Sequence, residues 1–193
     1  MTKARDKLED FDDVSIYGIG PARRQALLAR TEECAVVWST RDGWPVGVQH
    51  LYIWRDERFW VTCTGARKRV PALRARPQSS VIVAFEGEQT LTAKTLATVH
   101  DHGSAHHDWF YAALAEQALP SQPPAIRDAG AEAWIERLDT PDRVVIELVP
   151  QKWISFDGRK VKAHGEGSWK PGDPWDEPDD APHNGSPGAG QGR

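Results

Sequence analysis

The spacing of apolar positions changes several times along the chain, and each change marks a different predicted element. Three β-rich runs follow one another: CAVVWST from Cys34, PVGVQHLYIWR over residues 45–55, and RFWVTCT from Arg58. Asp-Gly at 42–43, a strong hairpin signal, follows the first run. Because such short connections favour neighbouring antiparallel strands, the three runs predict a β-meander.

Two further runs and a C-terminal segment predict the remaining strands. The near-continuous apolar run SSVIVAFEG, from Ser79, predicts a fourth strand that is buried on both faces. TLTAKTLATVHD, from Thr90, alternates threonine with apolar residues, which is the period-2 pattern of a fifth strand. RVVIELV and KWISFDG predict a final long strand or a bent pair, with Pro150 at the bend.

Helical patterns occupy the segments around these strands. Pro21 opens ARRQALLART, where a proline at the first helical position costs no hydrogen bond. ARKRVPALRARP predicts a short helix with Pro71 in its first turn. Residues 104–119, with Ser104 as N-cap, and residues 125–138 predict two more helices. Six short strands with helices inserted late predict a mainly β (α+β) fold, an antiparallel barrel with flanking helices.

The chain of 193 residues is long enough for one domain with a substantial core. Residues 1–20 are charged and then glycine-rich, and they predict an N-terminal arm. Residues 21–164 carry the barrel pattern and form the predicted domain. Residues 165–193 are rich in Gly, Pro, Asp and Ser, and this composition predicts a disordered C-terminal tail.

Composition and charge exclude several classes of function. The net charge of −4 gives no basis for nucleic-acid binding through bulk electrostatics, so an anion site has to be local. No stretch approaches the roughly 20 apolar residues of a transmembrane helix, and the charged N-terminus lacks the apolar core of a signal peptide. The two cysteines, Cys34 and Cys63, have no metal-ligand spacing and predict buried thiols in a reducing cytoplasm.

The segment TCTGARKR (62–69) carries the most chemical information. It contains two threonine hydroxyls at strand spacing, a glycine, and three consecutive bases at a helix start. Hydroxyls, free backbone N–H groups and cationic side chains together bind a phosphate monoester. Cations at a helix N-terminus oppose the helix dipole, and a bound anion would compensate them. The residues alone leave two interpretations open, a phosphate site and a solvated basic turn.

The stretch DGWPVGVQHLYIWRDERFWVTCTGARKRVPALRARPQSSVIV resembles the pyridoxamine 5′-phosphate oxidase-like family, the FMN-binding split β-barrels. The shared pattern is a D-G-x-P hairpin, an F-W-V-T strand, an Arg-Lys pair before a short helix, and a closing V-P-x-x-W strand. It covers about residues 22–160, and it also resembles the branch of short, Trp-rich actinobacterial-type flavin/deazaflavin oxidoreductases. The resemblance implies a six-stranded antiparallel split β-barrel and a homodimer that holds a flavin at its interface.

The same resemblance implies which residues hold the cofactor, with FMN expected and F420 as the alternative. The phosphate would be bound at the end of the third strand by Thr62, Thr64, Arg67 and Lys68. Arg69 is expected to be a solvated or interface charge. The isoalloxazine ring would lie along the second strand. The residues implied there are Val48, Gln49, His50 and Leu51, and Trp153 is a candidate to cover the ring, although core packing explains it equally well.

The remaining histidines do not have the spacing of a metal site. His100, His102, His106 and His107 cluster around a turn, but they fit neither HExxH nor a Cys₂His₂ pattern. Solvated loop histidines, and no metal, are therefore expected. His50 in its strand is either a flavin contact or a hydrogen-bonded structural histidine.

Departures from the family pattern limit the substrate. Classical members have basic residues where this chain has Gln49-His50, and they have a second phosphate-binding set near the C-terminus that is not found here. Oxidation of pyridoxamine phosphate is therefore not expected.

The sequence predicts an FMN- or F420-dependent oxidoreductase that acts on an unidentified small molecule. The cofactor would carry the redox chemistry, which agrees with the lack of an acid–base pair in the sequence. Haem binding through the histidines ranks below this hypothesis. Two alternatives of another class are a non-catalytic flavin-nucleotide-binding module and a dimeric scaffold that uses exposed tryptophans. No nucleic-acid or membrane partner is expected.

Overall fold

The computed structural model describes residues 14–86 and 88–175. Its strands are β1 (Glu33–Ser39), β2 (Pro45–Leu51), β3 (Ile53–Arg55), β4 (Arg58–Thr64), β5 (Gln78–Phe85), β6 (Gln89–His100) and β7 (Arg143–Asp157). Its helices are α1 (Pro21–Arg30), α2 (Arg69–Ala75), α3 (His107–Ala118), α4 (Pro124–Arg127), α5 (Gly130–Leu138) and α6 (Gly158–Glu166). Short 3₁₀ turns cover Val14–Tyr17 and Leu119–Ser121.

The strands form a single antiparallel sheet in the order β2-β1-β5-β6-β7-β4-β3. The sheet is curled. His50, near the end of β2, lies close to the backbone of Thr62 in β4, although these two strands are far apart in the strand order. The predicted antiparallel split β-barrel with flanking helices is thereby confirmed, with seven strands in place of six.

The seventh strand arises because the predicted second run is divided at Tyr52. Its N–H donates to the carbonyl of Glu32 at 2.9 Å, and its buried phenol donates to the carbonyl of Leu28 at 3.0 Å. Since the β1–β2 register pairs Glu33 with Leu51, the bond to Glu32 extends that pairing by one position, and Tyr52 is the point at which the chain changes partner. The chain pairs with β1 before this point and with β4 after it.

The last strand, β7, is one 15-residue strand that pairs with β6 over most of its length and with β4 at its start. The β6–β7 register shifts between Lys94 and Thr95, where Lys94 faces Lys152 and Thr95 faces Pro150. The bend predicted at Pro150 is therefore an irregularity within a continuous strand, where proline's missing N–H is tolerated.

The inner face of the curled sheet holds the main core. Fully buried residues include Val36, Phe59, Val81, Leu91 and Ile146. β5 alternates between buried and exposed positions, so the prediction that it is buried on both faces is wrong: Ile82 is 39% exposed. The apolar side chain of Ile82 is thus accessible to solvent on the outer face of the sheet.

A helical layer covers the other part of the outer face, over β3, β4 and the start of β7. Trp60 and Val145 pack there against Phe110, Leu114 and Trp134 of the helices. The helix predicted over 104–119 begins at His107, and its N-cap is His106 rather than Ser104. The helix predicted over 125–138 is two helices, α4 and α5, separated by Asp128 and Ala129; Gly130, which begins α5, has a φ of 85° that suits glycine.

Both described ends of the chain pack against this body. In the predicted N-terminal arm, Tyr17 is buried, and it contacts Phe156, His164 and Trp169. Residues 165–175, which composition predicted to be disordered, include the end of α6 and the buried Trp169. The rest of the predicted arm and tail, 1–13 and 176–193, lies outside the described residues.

Among the described residues, no helix has both the length and the apolar character needed to cross a bilayer.

Candidate functional site

The predicted phosphate-binding segment lies at the end of β4, in the turn that leads to α2. Thr64 ends the strand, and Arg67 and Lys68 stand just before the helix with their side chains exposed to solvent. The N–H of Gly65 donates to the carbonyl of Asp142 at 2.6 Å. A Cβ on Gly65 would come within 2.8 Å of the same oxygen, so this close approach of two backbone segments requires glycine.

The Thr62 hydroxyl is already committed within the chain. It donates to the carbonyl of Val144 at 2.9 Å and lies 3.1 Å from the Tyr111 phenol oxygen. With its proton used, Thr62 accepts from Tyr111 and has no proton left for a phosphate. Thr64 lies on the same face of β4, is half-buried, and its hydroxyl has no hydrogen bond to the described part of the chain. Thr64 is therefore the hydroxyl available to an anion.

Arg143, which the sequence analysis did not single out, completes the cationic end of the sheet. The β4–β7 register places it directly opposite Thr64. Burial raises the pKa of the Tyr111 phenol, and contacts with Thr62 and with Arg143 partly offset this rise. No local sequence signal marks Arg143, because only the strand pairing brings residues 64 and 143 together.

The Cys63 thiol shows how closely the positive charges gather here. Burial raises its pKa above the ordinary value, while Arg69, Arg143 and Arg67 act in the opposite direction. Within the residues that the structure describes, Arg67, Lys68 and Arg143 form no ion pair with a carboxylate. The end of β4 thus carries positive charge that the described chain leaves uncompensated.

A surface groove of about 680 Å³ opens beside this turn, between the start of α2 and the loop that precedes β7. Its walls include Gly65, Ala66, Arg74 and Arg143. Arg74 is paired with Asp101 at 2.5 Å, so its charge is compensated inside the chain. The volume lies within the range of small-molecule sites, roughly 300–1,000 Å³.

The four residues predicted to contact the ring along β2 do not share one face. His50 stands opposite Cys34, a core residue, and Val48 also packs on the core. Gln49 is exposed, and Leu51 packs against the helical layer. Because successive side chains of a strand alternate between its two faces, only one pair can contact the same ring through side chains.

Of these four, His50 has the most unusual environment. It is buried, and its Nε2 has no hydrogen-bond partner among the described residues. Burial first, and then the charge of Arg69, lower the pKa of His50 to about 4, against a hydrogen bond to the backbone of Thr62 that raises it. The imidazole is therefore neutral at pH 7.

Arg69 differs from the expectation of a solvated or interface charge. Its side chain is half-buried within the chain, its Nε is buried without a partner in the described residues, and its guanidinium lies 5.9 Å from the centre of the Trp38 ring. Arg69 therefore points from the basic turn toward the buried His50 of β2. Arg67 and Lys68, in contrast, face solvent.

Trp153 lies far from the basic turn within one chain. Arg143 stands opposite Thr64, and Trp153 is ten residues further along β7, roughly 30 Å at the rise of a strand. There its ring packs against Trp54 and Phe59, and Arg24 lies over it at 4.6 Å. Core packing thus explains Trp153 in the isolated chain.

The histidines after β6 are not uniformly solvated, as the sequence analysis expected. His107 is buried, and His100 and His106 are half-buried, whereas His102 is exposed as expected. Nε2 of His100 lies 3.0 Å from Oε2 of Glu147. Packing of α3 against the sheet produces this burial, which the spacing of the histidines does not reveal.

Comparisons with known proteins rest on the fold. No protein-family model matches this sequence, and no curated protein matches it. Solved structures do match. A conserved hypothetical protein of Mycobacterium tuberculosis has a TM-score of 0.62 at 15% identity, over 75% of this chain and 88% of that one. An F420 reductase has a TM-score of 0.52 at 20% identity, over 67% of this chain and 94% of that one.

Two further structures with the same fold are named for other ligands. A pyridoxamine 5′-phosphate oxidase-related, FMN-binding protein of Nostoc punctiforme has a TM-score of 0.51 at 12% identity, over 73% of this chain and 86% of that one. HutZ of Vibrio cholerae, a heme storage protein, has a TM-score of 0.55 at 14% identity, over 70% and 94%. At these identities the likeness concerns the fold alone: the chain shares the split β-barrel fold of these neighbours.

Proposed function

We propose that this chain binds a flavin-type cofactor through its phosphate and acts as an oxidoreductase on a small molecule. The observation that carries the proposal is the uncompensated positive charge of Arg67, Lys68 and Arg143 beside the available Thr64 hydroxyl. Cationic groups and a hydroxyl that converge at one turn provide charge-assisted hydrogen bonds for a phosphate.

Most, but not all, of the residues that the family resemblance implies are suited to bind a phosphate. Thr64, Arg67 and Lys68 are available, and Arg143 adds a fourth group on the neighbouring strand. Thr62 does not fit as a donor, because its proton is held by Val144. In this proposal Thr62 positions Tyr111, and the phosphate lies between the basic turn and the start of β7.

The position of the ring follows from the curl of the sheet. Because His50 reaches the backbone of Thr62, the end of β2 lies beside the end of β4, and a ring attached to the phosphate can lie along β2. His50, neutral at pH 7, and Arg69 are the nearest polar side chains on the core side of this strand. When bound, the flavin-type ring supplies the electron or hydride chemistry, and the chain binds and orients it.

FMN is the first choice of cofactor and F420 is the alternative, since fold neighbours named for each are known. Purification followed by absorbance spectroscopy separates them: a yellow protein with flavin absorbance supports FMN. For a colourless protein, each cofactor is titrated while the fluorescence of the nine tryptophans is recorded. If neither cofactor binds, the oxidoreductase proposal is wrong. Binding without turnover of any tested reductant favours a non-catalytic flavin-binding module.

A pair of matched variants tests the phosphate site. Arg67→Ala combined with Lys68→Ala removes two exposed cations from the turn, and we expect the Kd for the cofactor to rise about tenfold or more. Arg41→Ala combined with Lys170→Ala removes the same charge from two exposed positions elsewhere and should leave the Kd unchanged. Equal effects of the two pairs would point to long-range charge alone and would contradict the assigned site.

We also propose that two copies of the chain associate through the uncovered part of the outer sheet face. Ile82 and Ile154 flank Thr92 in the register of β5, β6 and β7, and they are 39% and 53% exposed. Leu96, further along β6 on the same face, is 41% exposed. Exposed apolar side chains on a paired sheet favour burial against a second surface.

We place this activity in the cytoplasm. Cys34 and Cys63 are both buried free thiols, and burial raises the pKa of Cys34 to about 12, so the thiol stays protonated and unreactive. Buried free thiols are typical of a reducing compartment.

A further inference from the structure

Three potential metal ligands meet at the edge of the helical layer. His102 lies in the loop after β6, His107 is the first residue of α3, and Asp139 directly follows α5. Their ligand atoms all lie within 4.8 Å of one another. We call these three residues the His-Asp cluster. The sequence does not reveal it, because Asp139 is 32 positions beyond His107 and carries no motif.

Both imidazoles of the cluster converge on one carboxylate oxygen. Nε2 of His102 lies 2.9 Å from Oδ1 of Asp139, and Nε2 of His107 lies 2.6 Å from the same atom. Neighbouring ligands of a Zn²⁺ ion with bonds of 2.0–2.2 Å are roughly 3.0–3.5 Å apart. The two imidazole–carboxylate distances are therefore slightly shorter than the spacing of zinc ligands, and all three ligand atoms lie within 4.8 Å of one another.

The surroundings fix the orientation of His107. Its Nδ1 lies 3.2 Å from Oδ1 of Asp108, and its ring packs against Tyr111 with 4.9 Å between centroids. A carboxylate that accepts from one ring nitrogen leaves the other nitrogen for a metal, as is usual around histidine ligands. His107 is also buried, so its ring loses little freedom when it binds a cation.

We propose that the His-Asp cluster binds one divalent transition-metal ion of the zinc class. Two imidazoles and one carboxylate are ligands that Zn²⁺, Co²⁺ and Ni²⁺ accept readily. His102 and Asp139 are 38% and 27% exposed, so solvent reaches the site and water can complete the coordination. Without a metal, each imidazole–carboxylate contact requires a proton on Nε2, and the cation takes the place of these protons.

The ion would join three segments: the loop after β6, the start of α3, and the loop before β7. The first and last of these segments also contribute to the groove beside the basic turn, through His102 and Asp142. The ion would therefore stabilise the helical layer against the barrel and hold one wall of the groove. This role does not depend on the proposed cofactor.

Zinc binding to the full chain, without a histidine tag, tests the proposal. Isothermal titration with ZnCl₂ should give one site per chain, and the melting temperature should rise by about 5–10 °C when free Zn²⁺ is about 100-fold above Kd. Co²⁺ should compete with Zn²⁺ for the same site and give a visible absorption band. Absence of binding, or binding that is not saturable at one ion per chain, would overturn the proposal.

Single substitutions distinguish the cluster from the other histidines of the loop. His102→Ala changes an exposed side chain, so the chain should fold, and the Zn²⁺ Kd should rise at least tenfold. Asp139→Ala should have a similar effect. His106→Ala is the matched control, because His106 belongs to the same loop but not to the cluster, and it should leave the Kd within about twofold. A loss of affinity in His106→Ala equal to that in His102→Ala would show that the assigned ligands are wrong.

Discussion

At the scale of single residues, His50 combines a strong burial effect on its pKa with a position beside the proposed cofactor. Its pKa is lowered from 6.5 to about 4, because the ring is buried and the charge of Arg69 is near. The folded chain therefore resists protonation of His50, whereas the unfolded chain does not.

This difference predicts how stability depends on pH. Because the folded pKa is below the unfolded value, the unfolded chain binds the proton first, and stability falls as pH drops from about 6.5 to about 4. Between pH 7 and pH 5 the loss due to His50 should be about 2 kcal/mol. Urea unfolding of the wild type and of His50→Gln at both pH values measures it, since the variant lacks this group. Equal pH dependence in the two proteins would contradict the assignment.

The carboxylates with lowered pKa act in a different range. Burial raises the pKa of Glu147, but hydrogen bonds from His100 and Arg58 outweigh burial, and the pKa is below its ordinary value of 4.5. The stability that Glu147 contributes is present above that value and is lost as pH falls further. Above pH 5, therefore, the change of stability with pH that is due to His50 can be measured without a contribution from Glu147.

Gly65 gives a second prediction at this scale. In Gly65→Ala the new Cβ would meet the carbonyl oxygen of Asp142 at 2.8 Å, and the two backbone segments would have to move apart. We expect a loss of about 1–3 kcal/mol in unfolding free energy, together with weaker cofactor binding. Gly165→Ala is the control, because nothing lies within 4 Å of its Cβ and alanine favours the helix by up to about 1 kcal/mol. Chemical denaturation of both variants checks the opposite signs.

At the scale of elements, α6 is held to the barrel by one buried carboxylate. Asp157 accepts from the N–H of Arg159 at 3.0 Å as the N-cap, and it also accepts from the Arg159 guanidinium and from Gln89. Burial raises its pKa, but the hydrogen bonds from Arg159 outweigh burial and keep the pKa below the ordinary value. The composition of this helix is polar, so the hydrophobic pattern of the sequence does not predict it.

Asp157→Ala should therefore cost more than the loss of an ordinary cap. It removes the cap and leaves the Arg159 guanidinium and the Gln89 amide without their buried partner, so we expect a loss of about 3 kcal/mol. Asp173→Ala removes a carboxylate that accepts from the N–H of Lys170 at the exposed surface, and it should cost at most about 1 kcal/mol. Thermal unfolding followed by circular dichroism compares them. Equal costs would show that the buried network contributes nothing.

The division of the second strand at Tyr52 shows what local pattern misses in an element. PVGVQHLYIWR is continuously compatible with a strand, and its periodicity predicts one. The division comes from a change of partner strand: the chain is held to the β1 side up to Tyr52 and pairs with β4 from Ile53, and this exchange is visible only in the tertiary structure.

At the scale of the whole molecule, the proposed dimer makes stability depend on protein concentration. If two copies bury the outer face, dilution should lower the melting temperature, and sedimentation should give twice the chain mass of 21.5 kDa. Ile82→Glu combined with Ile154→Glu should give a folded monomer, because it places charge in the buried interface.

A matched control uses two exposed alanines of the helical layer. Ala112→Glu combined with Ala133→Glu adds the same charge on the opposite part of the molecule and should leave the dimer intact. A wild type that sediments as a monomer at micromolar concentration would disprove the dimer.

The sequence by itself determined the order of elements, the antiparallel barrel and the location of the basic turn, because turn chemistry and periodicity act between near neighbours. Only the tertiary structure decided that Thr62 is committed to Val144, that Arg143 joins Arg67 and Lys68, and that Asp139 meets two histidines. Strand register and the packing of helices on the sheet produce these contacts. Both are long-range, so no local window of sequence contains the residues that meet.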